Sequence, residues 1–237
     1  MLVRRTDVID RLIFAILLLA GAMLLAILLR YPSDARHHNM ALIGLGLIAV
    51  SAILSLLLGS KRPLAGQGKP LGVRIGVLTS LMWVIEISFN NFVDPSISTG
   101  RARFYVDNGF WAAIALAILI SSLATAFKAR NITDALRVGL WSGYISGVIS
   151  CLMALSLVLF GMRFLLRDPI NISEYATRAS GAPPAGMASY FAYETMAGAL
   201  GHLFVLGVIM GLLLGTLGGI IGRFLAQLRR PHPPASH

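Results

Sequence analysis

Charge is what this sequence has least of. Only 13% of its 237 residues are Asp, Glu, Lys or Arg, roughly half the share found in an ordinary soluble domain. With 57% hydrophobic residues and a mean hydropathy of +0.78, a chain this size would expose far more apolar surface than water tolerates. That shortage excludes a water-soluble globular protein and points to lipid. The single cysteine, Cys151, lies in an apolar run, which excludes a disulfide framework or a thiolate metal cluster within one chain. A Walker phosphate loop, a dinucleotide glycine fingerprint and a His-Glu-x-x-His pair are also missing. No cofactor, no metal and no catalytic residue are therefore expected. The adjacent His37 and His38 have no partners at metal-binding spacing. A net charge of +10 might suggest nucleic acid, but the basic residues flank apolar segments, as in membrane proteins. The expected partners are the lipid bilayer and other membrane helices or a second copy, with no nucleic acid.

What the sequence does have is a series of apolar runs, over residues 12–29, 41–60, 72–93, 109–127, 138–163 and 198–222. Each is about 20 residues long, enough to cross a bilayer at about 1.5 Å per residue. The reading is all-α: one polytopic domain over residues 1–230 with six transmembrane helices, and a disordered tail at 231–237. The arginines before the first run imitate a secretion signal. The run is longer than such signals and lacks a nearby cleavage site, so it is read as a retained helix. Lys61-Arg62-Pro63 and Asp94-Pro95 break the second and third runs. Arg101, Arg103 and Asp107 fall in the expected loop before the fourth run, and Thr133-Asp134 offers an N-cap for the fifth. The connection 167–196 carries Tyr190, Phe191 and Tyr193, which suits an interfacial helix.

Six crossings put both termini on one side. The termini and the second and fourth loops hold 13 of the 20 basic residues. The positive-inside rule then predicts cytoplasmic termini in a plasma (inner) membrane.

Two glycine rows stand out. Gly207, Gly211, Gly215 and Gly219 fall four apart in the last run, as do Gly139, Gly143 and Gly147 in the fifth. Four-residue spacing puts each row on one helix face, free of side chains. Measured from the basic end of each run, the fifth-run row, continued to Cys151, lies at roughly 3–21 Å and the last-run row at roughly 6–24 Å. They overlap in depth, so antiparallel close packing is expected, and packing is the favoured meaning of such rows.

Glu86 is the one carboxylate well inside a run, about 18 Å beyond Arg74. A carboxyl at that depth must face the bundle interior, be neutral or pair. By height, the hydroxyls of Ser150 and Ser51 are its expected partners, with Asn90 and Asn91 as polar extensions. His202 is expected to hydrogen-bond near the outer boundary. Two functions follow: a structural or accessory membrane subunit packed through glycine faces, or a small transporter or channel with a proton or cation site at Glu86, Asn90, Asn91 and Ser150.

Overall fold

The computed structural model describes residues 2–31, 35–59, 68–178 and 186–229. Every regular element among them is helical. They are α1 (Leu2–Arg30), α2 (Ala35–Gly59), α3 (Gly68–Phe92), α4 (Gly100–Ala129), α5 (Ile132–Leu165) and α6 (Pro169–Arg178). Last comes α7 (Gly186–Gly201), which continues through a π-helical stretch (His202–Ile209) into α8 (Met210–Leu228). Five helical stretches are long and apolar enough to cross a membrane: Val8–Arg30, Gly68–Phe92, Gly100–Ala129, Ile132–Leu165 and Gly186–Leu228. The chain is thus an all-helical membrane protein. The expected span 41–60 falls on α2, whose described apolar part, His37–Ile53, is shorter than a full crossing. The break at 61–63 and the tail 231–237 lie outside the described residues.

The helices run past the apolar stretches, and this corrects several expectations. Arg101, Arg103 and Asp107 belong to the first turns of α4, not to a loop. Thr99 caps that helix by accepting a hydrogen bond from the Ala102 N–H. The turn before it is held by Asp94, whose carboxylate accepts from Ser96. The Ser96 hydroxyl and N–H hold the Asp94 carboxyl below its usual range. The N-cap of α5 is Asn131, accepting from the Thr133 N–H, instead of Thr133 or Asp134. Arg130, at φ 54°, makes the left-handed turn between α4 and α5. Most of the expected connection 167–196 is helical, in α6 and the start of α7.

The core is organised on α5. Of its apolar stretch 67% is buried within the protein, against 22–39% for the other four long stretches. One face meets α3, where Gly68, Gly72 and Gly76 form a third four-residue row. A methyl at Gly72 would lie 2.8 Å from Trp141 Cβ and 2.9 Å from the Val138 carbonyl. Ser142 Oγ donates across this seam to the Gly72 carbonyl at 3.1 Å. The other face, at Gly139, Gly143 and Gly147, meets the backbone of Gly207, Gly211 and Gly215. There a methyl at Gly139 would lie 2.5 Å from Gly215 Cα. Gly219 sits lower, against Ile132 and Ala135.

A further pair on α8, Gly218 and Gly222, turns to α4. A methyl at Gly218 would lie 2.7 Å from the Leu119 carbonyl. Helices α3, α5, α8 and α4 therefore close a ring. Outside it, α1 packs on α2 and α5 through Leu17, Leu24 and Ile27. Its C-terminal end is tied down by Tyr31, whose hydroxyl donates to the Val158 carbonyl and whose own carbonyl accepts from Tyr193.

At the basic end of the bundle, Lys69 is fully buried instead of facing headgroups. Its Nζ lies 2.6 and 2.9 Å from the Asp10 carboxylate oxygens and 4.3 Å from the Trp141 ring centroid. The ammonium is therefore matched by a carboxylate and an aromatic face, both effective at low dielectric.

Two predictions follow from this packing. Gly143→Ala should lower the unfolding temperature in detergent, by overpacking worth roughly 1–3 kcal/mol. Gly46→Ala should not, because its methyl would meet nothing within 4 Å and alanine favours helix; equal behaviour of the two would contradict the backbone seam. Lys69→Met should cost about 3–5 kcal/mol by stranding the buried Asp10, and adding Asp10→Leu should recover most of that loss. Chemical unfolding of the single and double variants measures both.

Candidate functional site

The fourth seam of the ring, between α3 and α4, is closed by side chains. Trp83 and Glu86 lie three apart on α3, and Asp107 and Trp111 four apart on α4, so each pair shares a helix face. The helices run antiparallel, which puts the acids at one level and the tryptophans about a turn deeper. Trp83 and Trp111 meet edge-on with centroids 5.1 Å apart.

At the acid level Asn90 is the bridge. Its Nδ2 donates to Glu86 Oε1 and to Asp107 Oδ1, both at 2.7 Å. Two carboxyl neighbours fix which end of the amide faces them, since only the NH2 group can donate to both. One amide thus holds the two carboxyls side by side. Glu86 is 8% exposed, and Asn90 Oδ1 is buried without a hydrogen-bonding partner.

Below the acids lies His202, the first residue of the π-helical stretch. Its ring meets Trp83 edge-on at 4.5 Å, and its Nδ1 lies 3.0 Å from Ser150 Oγ. The wider π turn brings the His202 carbonyl against Gly147, where a methyl would lie 2.7 Å from it. Beside this group is a cavity of about 30 Å³, bordered by Trp83, Trp111, Ser146 and His202 at its polar side and by Ile114 and Leu214 at its apolar side. It has room for one water. The buried Ser146 hydroxyl lines it and has no protein partner.

Compared with protein-family models, curated proteins and solved structures, the chain matches none.

The residues singled out in the sequence therefore divide. Glu86 and Asn90 are together. Asn91 donates instead to the Ile87 carbonyl of its own helix at 2.7 Å. Ser150 belongs to His202, and the Ser51 carbonyl accepts from the Tyr144 hydroxyl. Neither serine hydrogen-bonds Glu86, because height along a helix says nothing of the direction a side chain faces. The acid that shares Asn90 with it, Asp107, is hidden among the charged residues before the fourth apolar run. Among the described residues no three His, Cys, Asp or Glu side chains converge on a metal site.

A second polar clasp lies beyond the acids. Arg103 Nε donates to the Ser98 carbonyl at 3.0 Å, and Nη2 meets Asp168 Oδ2 at 2.6 Å as a charge contact. Asp168 also accepts from the Ile170 N–H and so starts α6. The clasp joins the α3–α4 turn to the end of α5.

Asn90→Leu should lower stability by roughly 1–3 kcal/mol, since both carboxyls lose a buried donor. Asn91→Leu should change it little. Thermal unfolding in detergent checks the pair, and equal losses would remove Asn90 from its bridging role.

Proposed function

We propose that this multi-pass membrane protein is a structural or accessory membrane subunit, a rigid bundle whose lipid-facing surfaces meet other membrane helices. The observation that carries the reading is the backbone contact of α5 with α3 on one side and α7–α8 on the other. Helices that touch through backbone cannot slide past one another without collision, since packed interfaces resist continuous deformation. The cavity beside His202 is small and is lined by neither Glu86, Asn90 nor Asn91.

In this reading α2 completes a sixth crossing, and both termini lie on the cytoplasmic side of the plasma (inner) membrane. The basic residues support that orientation even without Lys69, which Asp10 neutralises. Twelve basic residues would remain on the terminal side against seven on the other.

One observation favours a second reading. Two carboxyls bridged by an amide within helices long enough to cross the membrane form a group able to hold and release a proton or a cation. In that reading Glu86 is the carrier, and α5 and α8 move against each other.

A proton-flux measurement on the reconstituted protein separates the two. The scaffold reading expects flux no greater than in empty liposomes, for both wild type and Glu86→Gln. Flux in the wild type that disappears in Glu86→Gln would overturn it in favour of the second.

A further inference from the structure

At the basic end of the bundle, the α4–α5 turn and the last turns of α8 enclose a pocket of about 70 Å³, lined by Arg130, Arg223, Ala226 and Gln227. Two arginines line one concavity, and among the described residues no carboxylate lines it. Among the described residues neither guanidinium makes an ion pair or a hydrogen bond. The acid nearest in sequence to Arg130 is Asp134, which is engaged by Arg137 and Asn131. Lys128 and Arg229 add further positive charge around the site, Arg229 resting 5.1 Å from the Phe127 ring centroid.

Both side chains are exposed, so their mutual repulsion is screened by water and salt, and an anion seated between them relieves what remains. Guanidinium groups suit a phosphate, which accepts paired N–H donors, and Gln227 can supply another donor. The backbone adds a second indication. Arg130 holds its place through a left-handed φ of 54°, a conformation that costs energy for a residue with a side chain.

The surroundings identify the source of the phosphate. On α8, next to Arg223 and Gln227, Phe224, Leu225 and Leu228 expose apolar side chains outward. A free anion would gain nothing from them, whereas an acyl chain would lie along them. Basic pockets at the ends of membrane helices bind lipid headgroups in this manner. We propose that this pocket seats the phosphate of an anionic membrane phospholipid between Arg130 and Arg223, with its acyl chains along the exposed face of α8.

The full-length protein in neutral detergent is titrated with dioctanoyl-phosphatidylglycerol, dioctanoyl-phosphatidylcholine or inorganic phosphate, and bound molecules are counted by native mass spectrometry. Phosphatidylglycerol should bind at least about tenfold more tightly than phosphatidylcholine. Arg130→Gln/Arg223→Gln should remove about that factor, and each single variant about a third of the affinity or more. Glutamine makes the same left-handed backbone demand at position 130, so the change removes charge and not the turn. Arg101→Gln, an exposed arginine at the opposite end, should leave binding unchanged. Equal binding of the two lipids, or undiminished binding by the double and single variants, would overturn the site. Displacement of the lipid by inorganic phosphate at equal concentration would overturn the lipid as its occupant.

Discussion

The contact on which the rest depends is the one made without side chains along α5. In lipid, burying apolar side chains between helices offers little, because the tails outside are as apolar as leucine. Close approach of backbones is what remains. α5 takes it on two sides, through its own glycines toward α7–α8 and through the glycines of α3. This explains why α5 is buried while its neighbours stay largely exposed. It also explains the small residues beside the rows. Ser142 and Ser80 direct their hydroxyls to backbone carbonyls of α3 and α5, where longer side chains would push the helices apart.

With three helix positions fixed by glycine, α3 carries an ionisable residue toward each end, and each is satisfied differently. Lys69 has a carboxylate at hydrogen-bonding distance and an indole face. Glu86 has an amide that it shares with a second carboxyl. The first pair neutralises itself. The second brings two acids to one amide, with no basic side chain among its hydrogen-bonding partners.

Hydropathy and glycine spacing made the helical class and the α5–α8 rows readable, because both are periodic properties of one helix. The limits of reading lie where two helices meet. Gly68, Gly72 and Gly76 also fall four apart, yet Lys69 and Pro70 between them gave the stretch the look of a loop. The apolar runs are shorter than the helices because hydropathy falls where polar residues begin, while backbone hydrogen bonding continues through Arg101, Arg103 and Asp107. Asp107, which shares Asn90 with Glu86, lies in that polar stretch. The π-helical stretch has no mark in His202–Ile209, which reads as ordinary apolar helix; the wider turn lies against Gly147 and Gly143 on the opposing helix.

The ring of four helices shows what separates packing from the acid site. The α3–α5, α5–α8 and α8–α4 seams are closed by glycine against backbone atoms or the first carbons of side chains. The α3–α4 seam is closed by Trp83 against Trp111 and by Asn90 across two acids. A backbone contact has one arrangement, whereas side chains on rotatable bonds have several. If the ring opens anywhere, it opens there. The cavity beside His202 lies just inside that seam, bordered by both tryptophans. The hydrogen bonds of Asn90 therefore bear on more than the cost of burying Glu86. They hold shut the one side of the ring that glycine does not.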